Sequence, residues 1–334
     1  MTTDNPFATP QAPLTAPIAA TASVGREPLQ FVAAMIVAAA VVFFGSNAVQ
    51  WIFDLGSFRE RLPQYLPTML ANWLAGLVFY AAAVLLLVHH QRERHGIARF
   101  KPLAGLLVGF GVAYLIATMV VSTAVSYLSV FFYQWAFEQE SRALWIALYA
   151  QVNSLVNLML GCLLPLWLVL HLARSRSEPT ASGRAVPLPS WQVALAVALC
   201  FTALIYKLFA ALSYGVLYLY SGADGWQSVF LLTSCVLPFA IVMAAVQRRL
   251  PAQVSRFAAG RVLACSLVLL AMWLVAIVLV SVLIAFAAYS SLNSSSLPLY
   301  LLPPAILLLA LLWPLARWCT GWFFAEQLAQ SSPR

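Results

Sequence analysis

Residues 262–289 read VLACSLVLLAMWLVAIVLVSVLIAFAAY and contain no Asp, Glu, Lys or Arg. As an α-helix, a segment of this length extends about 42 Å, which exceeds the ~30 Å hydrocarbon core of a bilayer. Apolar side chains occupy successive positions here, whereas a strand of a membrane barrel alternates apolar and polar ones. Because lipid offers the backbone no hydrogen-bond partners, this segment predicts a transmembrane helix.

Seven other segments of the 334-residue chain are also apolar and long enough to cross a bilayer. Hydrophobic residues make up 63% of the chain and charged residues only 8%, whereas soluble domains have about 25% charged residues. Such a chain cannot cover a water-facing surface, which excludes a soluble enzyme, a nucleic-acid-binding domain and a disordered protein. We therefore predict an all-α fold, a polytopic membrane helix bundle with eight transmembrane helices. The predicted spans lie near residues 29–53, 67–90, 102–132, 143–173, 190–219, 226–247, 260–290 and 297–317.

The Lys and Arg residues between the spans predict the orientation. Fourteen of them fall in one set of alternating segments and three, Arg59, Arg61 and Arg142, fall in the other set. Because cytoplasmic loops carry the excess of positive residues, both termini are predicted to be cytoplasmic. The short loops and this charge bias predict the inner membrane of a bacterial cell. The basic segments divide the spans into four helical hairpins, 29–92, 102–176, 190–249 and 261–317.

Two tails flank the predicted membrane domain. Residues 1–28 are rich in Pro, Thr and Ala and lack a basic segment followed by an apolar core. This composition predicts a disordered cytoplasmic tail rather than a signal peptide. Residues 29–325 form the predicted eight-helix transmembrane domain, and residues 326–334 form a short cytoplasmic C-terminal tail.

Two predicted spans share a proline motif. Residues 161–165 (GCLLP) and 234–238 (SCVLP) align at an offset of 73 residues, and two Arg residues follow each of them. The shared direction of the two helices would make this a parallel repeat rather than an inverted one. A transmembrane proline frees a backbone carbonyl, so it marks either a hinge or a tolerated kink. The hinge candidates are Pro165, Pro238, Pro303 and Pro304.

Lys207 is the one charged residue deep inside a predicted span. Its insertion costs about 2.5–3.5 kcal/mol, and an ionisable residue in the membrane indicates a functional site by default. All ten Asp and Glu residues lie outside the predicted spans, so no carboxylate is available as a partner. The counter-ion would then be an anionic or amphipathic ligand. Alternatively, Lys207 donates hydrogen bonds to amides or carbonyls in a seam between helices.

Amide and hydroxyl residues form the rest of the candidate site. Asn153 and Asn157 lie four residues apart and so share one face of a helix. With the predicted orientation, most polar residues of the spans fall at mid-depth or in the outer half of the bilayer. We predict that they line a polar cavity that opens outward above an apolar plug. The candidate residues are Lys207, Asn153, Asn157, Asn47, Asn72, Ser122 and Ser126. Alternatively, these polar stripes are packing faces between helices.

Several chemistries have no support in the sequence. We find no P-loop, HExxH or GxSxG motif and no carboxylate in a predicted span. The five cysteines all lie in apolar stretches, which is typical of free buried thiols. The four histidines lie near the ends of spans 2 and 4 without the spacing of metal ligands. We therefore predict no cofactor, no metal and no nucleic-acid partner.

Two classes of function stay open for this protein of the lipid bilayer. The first is a permease-like or lipid-handling protein that binds an anionic or amphipathic ligand around Lys207. The second is a non-catalytic membrane subunit or scaffold, whose polar stripes contact a membrane-protein partner or another copy of the chain. A membrane enzyme ranks third, because no acid, base or nucleophile can be identified.

Overall fold

The structure is a computed structural model that describes residues 18–54, 57–179, 188–216, 227–289 and 297–331. Within these residues, eight helices are long and apolar enough to cross a membrane, which confirms the predicted all-α, multi-pass class. We number them from span 1 to span 8. They are Glu27–Phe53, Phe58–His95, Leu103–Phe137, Leu144–Arg176, Ser190–Leu212, Ser228–Arg249, Ala259–Ala285 and Pro303–Phe323.

Several helices extend beyond these spans. The complete α-helices are α1 (Ile18–Phe53), α2 (Phe58–His95), α3 (Leu103–Phe137), α4 (Arg142–Val156), α5 (Leu164–Ala173), α6 (Ser190–Val216), α7 (Gln227–Ser234), α8 (Val236–Arg249), α9 (Ala259–Tyr289), α10 (Leu297–Phe323) and α11 (Ala325–Ser331). Helix α1 thus includes residues 18–28 of the predicted tail, and α11 covers most of the predicted C-terminal tail. Parts of both tails (1–17 and 332–334) and some predicted span ends (217–219, 226 and 290) lie outside the described residues.

Spans 4 and 6 are irregular at their shared proline motif. A proline lacks the backbone N–H that would bond to the carbonyl four residues earlier. Before Pro165, span 4 widens into a π-helical turn, Asn157–Leu163, that joins α4 to α5. Before Pro238, α7 gives way to α8. The Gly161 carbonyl, which Pro165 leaves free, accepts a hydrogen bond from Thr118 Oγ1 of span 3 at 3.5 Å.

The spans form two halves with the same pattern of packing. In the first half, spans 1 and 4 each pack against spans 2 and 3. In the second half, spans 5 and 8 each pack against spans 6 and 7. Span 4 of the first half thus occupies the position that span 8 occupies in the second half. The shared proline motif, in contrast, lies in spans 4 and 6. Spans 1 and 2, 3 and 4, 5 and 6, and 7 and 8 are in contact, and their arrangement as four hairpins across a membrane stays a prediction.

Each half has its own cluster of buried apolar residues. Phe31, Phe110 and Leu166 belong to the cluster of the first half, and Phe201 and Leu269 belong to that of the second. Span 2 also contributes buried side chains to the second cluster. The halves meet where spans 2 and 4 pack against span 5 and where span 2 also packs against spans 6 and 7, so span 5 adjoins both halves.

The segments that follow spans 2, 4 and 6 meet at one end of the bundle, which we name the basic end. Strand β1 (Ile97–Arg99) pairs with β2 (Glu178–Pro179), and β3 (Leu188–Pro189) pairs with β4 (Gln253–Val254), both antiparallel. Two turns with similar sequences lead into spans 3 and 7. We name them the first turn (97–100, IARF) and the second turn (254–257, VSRF).

Candidate functional site

Span 5 is the most enclosed of the eight spans within the described residues, and 61% of its most apolar window is buried. It packs against spans 2 and 4 of the first half and spans 6 and 7 of the second half. Val193, Val197 and Phe201 on this helix are fully buried. Polar side chains farther along span 5 are therefore positioned where the two halves meet.

Lys207 lies on span 5 toward the end away from the basic end, and its side chain is half-buried. Its Nζ donates a hydrogen bond to Ser154 Oγ of span 4. The same ammonium group lies 5.2 Å from the ring centre of Phe79 in span 2, a distance at which an aromatic face attracts a cation. The ion pairs of the described residues do not include Lys207. Lys207 thus joins the halves through neutral partners.

The neighbouring residue Tyr206 adds another contact between the halves. Tyr206 is buried, and its hydroxyl donates to Asn72 Oδ1 of span 2 at 2.9 Å. On span 4, Asn157 Nδ2 donates to both the side-chain oxygen and the main-chain oxygen of Asn153. The Asn153 and Asn157 side chains, which precede and follow Ser154 in the sequence, therefore bond to each other. We name the group formed by Lys207, Ser154, Phe79, Tyr206 and Asn72 the Lys207 junction.

The depth of the Lys207 junction follows from the aromatic residues of span 4. Ser154 is nine residues from Trp145 and thirteen from Trp167, or about 14 Å and 20 Å at the rise of an α-helix. Tryptophan is enriched at the two interfaces of a membrane. The junction is therefore inside the apolar part of the bundle, closer to the end opposite the basic end.

Three other candidate cavity residues form hydrogen bonds within their own helices. Asn47 Nδ2 donates to the Phe43 carbonyl at 2.7 Å, while its Oδ1 is buried without a hydrogen-bond partner in the described residues. Ser122 and Ser126 are exposed on span 3, where Ser126 Oγ donates to the Ser122 carbonyl at 2.7 Å. The structure thus brings Lys207 together with Asn72 and the Asn153 region, and not with these three residues.

The four candidate hinge prolines differ in their effect on the helices. Pro165 and Pro238 each follow an irregular turn, whereas α10 continues through Pro303 and Pro304. Sharp bends arise where the helical hydrogen-bond ladder is interrupted. The hinge prediction is therefore kept for the prolines of spans 4 and 6.

An open apolar groove of about 530 Å³ lies between spans 3 and 4. Its lining includes Val120, Leu164 and Pro165, and all its lining side chains are apolar. Lys207 does not line it. The groove and the Lys207 junction are therefore separate features.

A second group of polar residues, Glu27, His89, Arg92 and Glu93, lies at the basic end and was not part of the predicted site. The exposed fraction is 6% for Glu27, 1% for His89 and 5% for Arg92. The predicted spans exclude Glu27 and Glu93, but in the structure span 1 begins at Glu27 and span 2 continues to His95. Glu60 also lies within span 2, so three carboxylates outside the predicted spans belong to the helices that form spans 1 and 2.

Arg92 and Glu27 stabilise the first turn. Arg92 donates from Nε to the Ile97 carbonyl at 3.2 Å and from Nη2 to the Ala98 carbonyl at 2.9 Å. Glu27 Oε2 accepts a hydrogen bond from the Phe100 N–H at 3.3 Å. Because spans 1 and 2 both belong to the first half, these bonds close the turn from within its own half.

Glu93 contacts the second turn, which belongs to the other half. Its carboxylate accepts hydrogen bonds from the backbone N–H groups of Phe257 and Ala258, the latter at 3.0 Å. Arg256 Nε lies 3.9 Å from Glu93 Oε2. The His89 ring stacks on the Phe257 ring, with ring centres 4.0 Å apart. His89 and Glu93 are four residues apart on one helix face, a spacing that could have indicated their shared role.

Among the described residues, no group of three or more His, Cys, Asp and Glu side chains is arranged to hold a metal ion. No protein-family model, curated protein or solved structure matches the chain. The function proposed for this multi-pass protein is therefore inferred from contacts within the chain.

Proposed function

We propose that the protein is permease-like and binds an anionic small molecule or anionic amphiphile at the Lys207 junction. The observation that carries this proposal is that Lys207 joins the two halves through Ser154 and Phe79, which are both neutral. An ammonium group in an apolar setting is stabilised by an opposite charge. In transporters built from parallel repeats, the substrate site lies near the midplane where the repeats meet.

The neighbours of Lys207 suit an oxyanion such as a carboxylate or a phosphate. Ser154 Oγ accepts its hydrogen bond from Lys207, so the Ser154 hydroxyl hydrogen can point toward a ligand. The Tyr206 hydroxyl can exchange its bond to Asn72 for a bond to an anion. Hydrogen bonds to an ionised acceptor are roughly twice as strong as neutral ones. Lys207 and Ser154 would therefore contact the oxyanion, and the Tyr206 hydroxyl would be available to a ligand that extends toward Asn72.

Ser154→Cys tests the proposal without a known ligand, because it places a thiol beside Lys207. We expect a methanethiosulfonate reagent with a sulfonate group to label this thiol faster than one with a trimethylammonium group. Adding Lys207→Met should reduce this rate ratio about tenfold, since contacts with a charged group contribute about 1.5–3 kcal/mol. The five native cysteines are buried, which keeps background labelling low.

Ser141→Cys provides the matched control, because Ser141 is exposed just before α4, the helix that contains Ser154. The rate ratio at this position should not depend on Lys207. A rate ratio at Ser154→Cys equal to that at Ser141→Cys would contradict the proposal. So would a rate ratio at Ser154→Cys that Lys207→Met leaves unchanged.

The alternative function is that of a non-catalytic membrane subunit or scaffold. It is favoured by the hydrogen bonds from Lys207 and Tyr206, which themselves join spans 2, 4 and 5. In that case Lys207→Met should lower the unfolding temperature or prevent assembly with a partner. If Lys207 binds a ligand instead, Lys207→Met should leave the unfolding temperature nearly unchanged, because removing a buried charge offsets the lost hydrogen bond.

We also propose a location in the bacterial inner membrane, with the basic end and both termini on the cytoplasmic side. The excess of Lys and Arg at the basic end supports this orientation. Thiol labelling of intact cells with an impermeant reagent tests it. Ser141→Cys should react from outside, and Arg94→Cys at the basic end should not. The opposite pattern would reverse the orientation.

A further inference from the structure

We propose that Glu93 and the second turn form a gate at the basic end. The gate opens when the two halves close against each other at the opposite end. This inference rests on the proposed permease-like function and specifies how access to the Lys207 junction is controlled. In the structure, contacts between the halves are present both at the gate and at the junction. If only one of these two sets of contacts is released at a time, a ligand can reach the Lys207 junction from only one side of the membrane at a time.

Span 2 carries contacts of both kinds. Glu93 binds the start of span 7, and Phe79 and Asn72 contact residues of span 5. Phe79 precedes Glu93 by fourteen residues, or about 21 Å along the helix. A tilt of the first half against the second would therefore separate one set of contacts while compressing the other. Rigid-body motion of this kind is common where two repeats surround a site.

The first turn shows what the Glu93 contact adds. The Phe100 N–H is bound by the carboxylate of Glu27, which belongs to the same half. The Phe257 N–H, at the equivalent position of the second turn, is bound by Glu93 from the other half. A carboxylate can thus close such a turn without linking the halves. The bond from Glu93 is an additional link, placed where the halves would have to separate.

The surroundings of Glu93 allow this contact to be released. Its side chain is 16% exposed and that of Arg256 is 71% exposed, so water can replace the bonds that open. Ala258 has a backbone φ of 48°, a left-handed conformation that is uncommon for a residue with a side chain. The bond from the Ala258 N–H to Glu93 is one of the contacts that hold this conformation, and opening the gate would remove it. The stacked rings of His89 and Phe257 would separate in the same movement.

Spin labels on the full chain in lipid vesicles test the gate. Arg176→Cys and Gln247→Cys place labels on exposed residues of the two halves at the basic end. Glu93→Ala removes the acceptor of both N–H groups, so we expect a second population with a longer label-to-label distance. Glu27→Ala removes the matching carboxylate of the first turn and should leave the distance unchanged. Glu93→Gln keeps one neutral acceptor and should give a smaller long-distance population, which serves if Glu93→Ala does not fold.

The same variants should change access to the junction. With Ser154→Cys as the reporter, Glu93→Ala should reduce labelling by the sulfonate reagent from the side opposite the basic end, by about tenfold. Labelling from the basic side should rise. An unchanged distance in both Glu93 variants, or an equal change in Glu27→Ala, would overturn the gate. Failure of the proposed function is detected separately, as the loss of anion preference at Ser154→Cys.

Discussion

The turns that lead into spans 3 and 7 have similar sequences but different partners. The first turn is held by Glu27 and Arg92, which belong to the same half of the protein as the turn itself. In the second turn, Gln327 of the same half donates to the Arg256 carbonyl, but the backbone N–H groups of Phe257 and Ala258 are bound by Glu93 from the other half. A repeated turn can thus stabilise one half or join two halves, depending on which helix supplies the carboxylate.

The largest effect should come from Arg92→Met, which removes the internal support of the first turn. The change leaves two backbone carbonyls and the nearby Glu27 carboxylate without the guanidinium group in a buried site. Loss of one member of such a buried charged group costs about 3–5 kcal/mol. The free energy of unfolding in detergent, measured by denaturant titration, should fall by this amount. Arg94→Met, at an exposed neighbour, is the control and should change it by less than about 0.5 kcal/mol.

A smaller loss should follow from Glu27→Ala. This change removes the acceptor of the Phe100 N–H, and hydrogen bonds to charged groups contribute about 1.5–3 kcal/mol. The unfolding free energy should fall accordingly, while the anion preference at Ser154→Cys should persist. If Glu27→Ala abolished that preference, the first turn would also be coupled to the junction and the two turns would not differ in role.

Tyr206→Phe weakens a contact at the other end of the boundary between the halves. The variant loses the hydrogen bond from the hydroxyl to Asn72, a neutral bond worth about 1 kcal/mol. Thermal unfolding should detect this small loss of stability. Tyr127→Phe is the control, since the Tyr127 side chain is 70% exposed and should tolerate the change. Equal stability of Tyr206→Phe and the wild type would show that this contact does not hold the halves together.

The smallest effect should come from Glu178, which pairs with Lys101 beside strands β1 and β2. The hydrogen bond from Lys101 lowers the pKa of the Glu178 carboxyl below its ordinary value of 4.5. A lowered pKa means that the stabilisation is present above pH 4.5 and is lost as the pH falls through the folded-state pKa. Wild type and Glu178→Gln should therefore differ slightly in unfolding temperature at pH 7 and converge in acid. If the two unfolding temperatures still differed in acid, the charge of Glu178 would not be the cause of the difference.

The number and type of the spans could be predicted because hydropathy over twenty residues depends on composition alone. The choice of Lys207 and Asn72 as candidates also followed from the sequence, since polar groups in apolar segments are conspicuous. Their partners were not predictable. Phe79 and Tyr206 resemble any other aromatic residue of a span, and only the packing of spans 2 and 5 brings them to Lys207 and Asn72.

Composition and hydropathy alone make this a helical, multi-pass protein, because a chain with 8% charged residues and apolar segments that do not alternate satisfies its backbone in lipid as helices. Where its charged residues act depends on how the helices and turns pack. Glu27, Arg92 and Glu93 look like loop residues because they adjoin the polar ends of spans, where hydropathy falls. Glu27 and Arg92 become buried and Glu93 half-buried because the turns fold back over the helix ends and supply hydrogen-bond partners.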